Sequence, residues 1–459
     1  MGICGSNPNA GAGMALSSKS IANKREQGEF VIFVGKCTNV PNLDTGSLSD
    51  CYAKLQIVDQ EGAPCSGEFK TQVRKDSLHP TWNSFAAFAC KPADTDILRV
   101  LLLDHDDLSK DDPIGHCSIP VSDLRKHSVK NPADFVLEMD TKVKPAKPNE
   151  PVTITIGALQ NLESCMPNRK KDEAFTIEKE FWLIRHGESK WNEATEHTNV
   201  GGLLGYDHPL STVGIEQALT FNGKWKKANE GAKSDMTSAE QNFLSAERVV
   251  ASPLTRATQT ALLTCFSHPN LSNAHPLTLY RNLREKKNRA LSLDTVGQEV
   301  GEGIKTRVLE QLVAESYQDD RKTAEGYMVD INYNDCDSAW WTGTSHGDSK
   351  GMLTTRFDEL WSFLKYSKEN RMILVGHSLF FRELCRRFLS DTYCNTNKKH
   401  TEGLKKHKLD NAACLYIRVA FPKPSARTSV EPSIVEAELV FGSKLKTHGK
   451  DEDDGKEEE

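Results

Sequence analysis

Between residues 28 and 162 apolar positions come in short alternating runs separated by turn residues, and beyond residue 177 strand-like runs alternate with helical stretches. Two differently built domains are therefore expected. Eight β-prone runs lie near 30–34, 51–58, 69–74, 84–90, 97–103, 114–119, 134–139 and 152–158, with alternation clearest from Cys51 to Val58. With no amphipathic helix among them, this part reads as an all-β, eight-stranded antiparallel sandwich. From 177 to 442, runs at Glu180 to Ile184, Arg248 to Pro253 and Met372 to Val375 read as buried strands, the last two running into helices. That order predicts an α/β domain with a mostly parallel sheet and function at the strand ends. The helix through Leu353, Phe357, Leu360, Trp361 and Leu364 shows a plain core face. Residues 163–176 are polar and aperiodic, as a linker would be; 1–27 read as a flexible tail and 443–459 as an acidic one.

Composition narrows the class. A chain of 459 residues with 27% charged and 37% apolar residues and a net charge of -6 is long enough for two or three cores and carries no overall bias toward nucleic acid. Its longest apolar runs fall far short of the roughly 20 residues that span a bilayer. Twelve cysteines without a Cys-x-x-Cys pair fit the reduced thiols of a cytoplasmic protein. The opening Met1-Gly2-Ile3-Cys4-Gly5-Ser6 lacks a secretory signal and matches the myristoylation pattern, in which Gly2 takes the acyl chain and Cys4 a second lipid. A tail rich in Gly, Ala and Ser meets that pattern by chance as well. The expected location is cytoplasmic with peripheral membrane association.

Two connections of the sandwich carry acids at telling spacing. Asp44 and Asp50 precede one strand; Asp104, Asp106 and Asp112 follow another. Five carboxylates repel unless a cation neutralises them, and calcium takes about six to eight hard oxygen ligands in flexible geometry. Filling such a site would reverse the local charge and draw the edge to an anionic phospholipid membrane. The stretches Asp44 to Tyr52, His79-Pro80-Thr81-Trp82-Asn83, and Asp104 through Asp112 to Gly115 resemble a C2 domain. The resemblance implies calcium at all five aspartates; Cys51 departs from it, since proline is usual there.

In the second domain the strand ends present Arg185-His186-Gly187, Ser252-Pro253 with Arg256, and Gly376-His377-Ser378. Two histidines and two arginines so placed suit phosphoryl transfer through a phosphohistidine. A neutral imidazole attacks phosphorus, guanidinium forks hold the oxygens without a metal, and a carboxylic acid, for which Glu285 is the candidate, protonates the leaving group. Together with Trp191-Asn192, Asp207 to Gly214, Gln217, Ser252 to Ala261 and Leu283-Arg284-Glu285, these motifs resemble the histidine phosphatase superfamily, which includes the cofactor-dependent phosphoglycerate mutases. The resemblance spans roughly residues 178 to 420. It implies His186 as nucleophile, Arg185, Arg256 and His377 as phosphate ligands, Asn192 as a supporting donor and Glu285 as proton donor. Lys286-Lys287-Asn288-Arg289 depart from the mutase pattern.

The resulting expectation is a phosphatase acting on a phosphorylated small molecule or phosphoprotein and recruited to membranes by calcium. A mutase-like phosphotransferase and a catalytically silent membrane adaptor are the alternatives. The segment 333–347, with Trp340 and Trp341, reads either as a substrate wall or as plain packing.

Overall fold

The computed structural model describes residues 28–106, 110–140, 143–159, 175–197, 205–231, 236–288, 293–341, 347–422 and 432–446. Its first unit pairs two antiparallel sheets. One holds Phe30–Thr38 (β1), Thr81–Phe88 (β4), Ala133–Val136 (β7) and Thr153–Ala158 (β9) in the order β4-β1-β9-β7. The other holds Cys51–Val58 (β2), Phe69–Lys70 (β3), Ile97–Asp104 (β5), Asp112–Pro120 (β6) and Glu138–Met139 (β8) in the order β3-β2-β5-β6-β8. Inward residues such as Ile32, Val34, Leu55, Trp82, Val100 and Ile154 fill one core between them.

The sandwich thus has nine described strands rather than eight. The run 134–139 is divided at Leu137, where the chain crosses the core: β7 pairs with β9 in one sheet, β8 with β6 in the other. Alternation of side chains continues through such a crossing, so periodicity alone cannot show it. One helical turn, Val121–Leu124 (α1), also interrupts the strands and buries both its terminal residues. Four residues are too few to display a 3.6 period.

The second unit is built on a seven-stranded sheet of Phe175–Arg185 (β10), Arg248–Ala251 (β11), Leu277–Leu279 (β12), Ile331–Asn332 (β13), Arg371–Gly376 (β14), Cys414–Pro422 (β15) and Ser433–Val440 (β16), ordered β13-β12-β11-β14-β10-β15-β16. The first five in that order are parallel; β15 and β16 extend the sheet antiparallel. Strand β10 begins inside the segment read as a linker. The helices are Lys190–Glu196 (α2), Thr212–Glu230 (α3), Ser238–Gln241 (α4), Thr255–Cys265 (α5), Glu302–Ser316 (α6), Arg321–Gly326 (α7), Lys350–Tyr366 (α8), Ser378–Phe388 (α9), Asp391–Thr396 (α10) and Lys398–Lys406 (α11). They cover both faces, which explains the unbroken apolar run of β10: Phe181 and Leu183 face α8 and α9, while Trp182 and Ile184 face α3, α5 and α6.

The two units share a core. Val31 and Phe85 of the sandwich belong to the same buried cluster as α8 and α9. The Phe85 ring lies 5.6 Å from Tyr366, and Glu29 receives the Lys365 ammonium at 2.8 Å as well as the Tyr366 hydroxyl. Trp340 packs inward with its indole N–H on the Glu299 carbonyl, which favours the packing reading of that segment. Residues 443–446 continue the fold, Leu445 pairing with Leu409 and Lys446 N–H donating to the Lys408 carbonyl. All ten cysteines among the described residues are free thiols. Among the described residues no helix is long and apolar enough to cross a membrane.

Candidate functional site

Strands β11, β14 and β10 are neighbours, so their carboxyl ends open on one edge of the sheet. Arg185 is paired with Gly376, and His186 N–H donates to the Gly376 carbonyl at 3.0 Å, tying the two histidine-bearing loops together. The rings of His186 and His377 lie 5.1 Å apart between centroids. Arg185 and Arg256 are buried beside them.

The proton positions on both imidazoles follow from their partners. His186 Nδ1 lies 2.6 Å from the Gly187 carbonyl, which can only accept, so Nδ1 carries the proton and Nε2 keeps its lone pair. Burial, followed by Arg256 and Arg185, pushes this imidazole well below its ordinary pKa, so it is neutral at pH 7. His377 Nε2 lies 2.9 Å from Ser252 Oγ, which already accepts the Leu254 N–H and has its own proton to donate. With the Ser252 hydroxyl donating to Nε2, the His377 proton sits on Nδ1. Burial and Arg256 push His377 down as well, so it is neutral at pH 7.

Three buried nitrogens, Arg185 Nε, Arg256 Nε and His377 Nδ1, have no hydrogen-bond partner among the described residues. Buried donors are rarely left so, and three together fit an anion with several acceptor oxygens. Arg185 donates by Nη1 to the Leu409 carbonyl, and burial lowers it to about 10, leaving it charged at neutral pH. Arg256 is held by Asp294, whose carbonyl and Oδ1 each accept from Nη1 at 3.1 Å. Burial raises the Asp294 carboxyl, but Arg256 and His208 more than offset this and hold it below its usual range.

Glu285 follows a short 3-10 turn, Arg281–Leu283. Its Oε1 accepts the backbone N–H groups of Lys286 and Phe380, and the carboxyl senses both Arg256 and Arg185. Desolvation outweighs these contacts and pushes its pKa up, as a proton donor requires. Asn192 lies in the first turn of α2. Its Oδ1 accepts from Ser189 in a capping box that starts α2, so only its amide nitrogen is available to an anion.

The remaining motif residues build the scaffold. Asp207 caps α5 through the Thr255 N–H and hydroxyl, Ser211 caps α3, and Gln217 and Gln259 accept the backbone N–H groups of Glu188 and Leu210. A Cβ on Gly214 would meet the Glu188 carbonyl oxygen at 2.0 Å, so only glycine lets the start of α3 close on the histidine loop. Asp294, Asp348 and Arg356 were not singled out in the sequence. Asp294 lies beyond the Lys286–Arg289 stretch and in none of the recognised motifs, and Arg356 lies on the helix read as plain core.

At the sandwich end, Asp104 is paired opposite Asp112 and accepts the Asp50 N–H at 2.6 Å. Burial, together with Asp44 and Asp50 nearby, pushes the Asp104 carboxyl up. This crowding of hard oxygens suits calcium. Among the described residues no three acidic, histidine or cysteine side chains converge on a cation position. Three of the aspartates are turned to protein partners instead. Asp104 holds the Asp50 N–H, Asp50 pairs with Lys75 at 3.3 Å and accepts the Asp76 N–H, and Asp44 accepts from Ser47 Oγ. Asp106 borders residues 107–109, outside the described set. Gly2 and Cys4 also lie outside it.

Fold and site together define a class: an antiparallel sandwich joined to an α/β domain whose parallel strands end in a histidine and arginine cluster. Residues 28–133 match the family model for the C2 domain, and residues 181–292 match that of the histidine phosphatase superfamily (branch 1). The chain thus carries a C2 domain followed by a histidine phosphatase superfamily domain. It is similar to tricalbin-1 of Saccharomyces cerevisiae, 32% identical over 21% of this chain and 8% of that protein, and to synaptotagmin-7 of Mus musculus, 28% identical over 22% of this chain and 25% of that one. The chain therefore spans a quarter or less of these relatives' length. Similar solved structures include a C2 domain of a plant extended synaptotagmin 1 (16% identity, TM-score 0.24, 30% of this chain and 97% of that one). Another is a candidate alpha-ribazole-5'-P phosphatase from Escherichia coli (20% identity, TM-score 0.30, 55% of this chain and 99% of that one).

Proposed function

We propose that this protein is a phosphomonoester phosphatase that works through a phosphohistidine on His186, and that its C2 domain brings it to anionic phospholipid membranes in response to calcium. The observation that carries the catalytic reading is the His186 Nδ1 contact with the Gly187 carbonyl, which leaves Nε2 unprotonated, together with three buried nitrogens of Arg185, Arg256 and His377 that have no hydrogen-bond partner among the described residues. In this mechanism Nε2 attacks phosphorus while Arg185, Arg256 and the Nδ1–H of His377 hold its oxygens. The P–O ester bond breaks and Glu285 gives its proton to the departing alkoxide. The Glu285 carboxylate then takes a proton from water, which attacks the phosphohistidine and releases phosphate and the free imidazole.

Asp44, Asp50, Asp104, Asp106 and Asp112 would hold the calcium, which when bound supplies positive charge to the membrane-facing edge. Asp50 must first part from Lys75. Acyl chains on Gly2 and Cys4 would add to this attachment.

A phosphomonoester panel offered to the protein and to His186→Ala should yield free phosphate and acid-labile phosphate on the wild-type protein only. No turnover and no phosphoprotein would favour a silent adaptor; a second phosphorylated product in place of phosphate would favour the mutase. Sedimentation with phosphatidylserine vesicles should require calcium and be lost in Asp104→Ala. Binding indifferent to both would remove calcium from the account.

A further inference from the structure

The C2 sandwich reaches the turn that precedes Glu285. Its residue Thr81 offers one carbonyl to two guanidinium groups: Arg74 Nε of the sandwich and Arg281 Nη2 of the phosphatase domain, each at 2.8 Å. Arg281 opens the 3-10 turn that leads to Glu285, and Asp335 fixes it through its backbone N–H and its side chain. The next residue, Asn282, is held from the same side. Its amide donates to Glu359 Oε2 at 2.8 Å, and its Oδ1 faces Gln72 Nε2 of the sandwich at 3.5 Å. Arg74 completes the loop, Nη1 donating to Gln72 Oε1 at 2.9 Å and Nη2 lying 3.6 Å from Glu359 Oε2. Behind the turn, Arg356 donates to the carbonyls of Asn282 and Arg284.

Every charged member of this network is buried: Arg281 is 2% exposed, and Arg74 and Glu359 are each 7% exposed. A buried charge whose partner is removed is costly, so these contacts fix geometry rather than merely decorate an interface. They also converge on one short segment, 281–285, although other parts of the interface, such as Glu29 on Lys365, are polar too.

We propose that the C2 domain is a positioning element of the phosphatase site: Arg74, Gln72 and the Thr81 carbonyl, through Arg281, Asn282 and Glu359, hold the turn that aims Glu285 at the leaving group. The inference rests on the phosphatase reading for its chemistry. Its geometric part does not, because the turn is held whether or not the site turns over.

The test compares full-length wild type, Arg74→Ala and the milder Gln72→Ala on glycerol phosphate, whose alkoxide needs a proton, and on 2,4-dinitrophenyl phosphate, whose leaving group does not. Arg74→Ala should lose at least about tenfold in kcat/KM on the first and less than about threefold on the second, as expected for a misplaced general acid. Gln72→Ala should move in the same sense by less. Amide exchange over 280–286 should quicken in both variants, while Glu29→Gln, at the same interface, should leave that segment and the substrate ratio unchanged. Equal losses on both esters, or unaltered exchange at 280–286, would overturn the proposal. Failure of wild type on both esters would count against the phosphatase reading, and the exchange comparison would still decide whether the sandwich holds the turn.

Discussion

At the residue scale, the two groups that must differ in protonation in the proposed mechanism are pushed apart by their surroundings. His186 has to be neutral to attack, and burial with Arg256 and Arg185 keeps its pKa well below the ordinary histidine value. Glu285 has to be protonated to donate, and desolvation holds it above the ordinary carboxylate range. The acid limb of a kcat/KM profile should therefore lie well below the ordinary histidine value of about 6.5, and the basic limb should follow the loss of the Glu285 proton as pH rises. In Glu285→Gln the basic limb should vanish on alkyl phosphates, with a loss of about 10²- to 10⁴-fold, as measured by steady-state rates from about pH 4 to 8. A basic limb unchanged in that variant would assign the acid elsewhere. The residues of this cluster were legible because they cling to strand ends as short motifs: Arg185-His186-Gly187 needs no tertiary information to be noticed. Asp294 had no such marker, since an isolated aspartate outside any periodic pattern looks like any solvated acid until Arg256 is found on it.

At the element scale, α8 shows what a correct period leaves out. The apolar spacing of Leu353, Phe357, Leu360, Trp361 and Leu364 forecast a core-facing helix, and those residues do pack in the core. The same helix also carries Arg356 and Glu359 against the turn before Glu285, and Tyr366 against Phe85 of the sandwich. Hydrophobic periodicity marks only the apolar stripe, so polar residues at its border read as solvent-facing when a second domain covers them. Arg356 illustrates the energetic consequence: it is paired with Asp348 at 2.5 Å, both side chains being 1% exposed. Asp348→Asn should destabilise the protein by about 3–5 kcal/mol by leaving that guanidinium buried without a counter-charge. Urea unfolding checks it; a loss under about 1 kcal/mol would mean that the site admits water or relaxes. Strands fared similarly. The eight runs of the sandwich located its sheets, but the crossing at Leu137 and the turn Val121–Leu124 depend on which partner a strand finds.

At the scale of the whole molecule, two domains of different architecture meet through a shared apolar cluster and the ion pairs Arg74–Glu359 and Glu29–Lys365. Such a seam should make them unfold together rather than in sequence. Calorimetry of wild type should give one cooperative transition. Phe85→Ala removes an aromatic ring packed between Phe33 and Tyr366, a change that costs about 3–5 kcal/mol in a core, and should lower that transition or divide it in two. Two resolved transitions already in wild type would refute the coupling. The composition of the chain told of two cores and nothing of the seam, because interdomain surfaces resemble ordinary mixed surface until the partner is present.

The shared cluster of Val31, Phe85 and Tyr366 also constrains how the molecule sits when docked. A catalytic domain on a loose tether would wander through every heading above a bilayer. Here the sandwich is bolted to its neighbour, so the angle at which the aspartate-bearing tip lands sets the direction in which His186 faces. Under the proposed function, geometry at the lipid surface, as much as chemistry, would then select which phosphate esters come within reach.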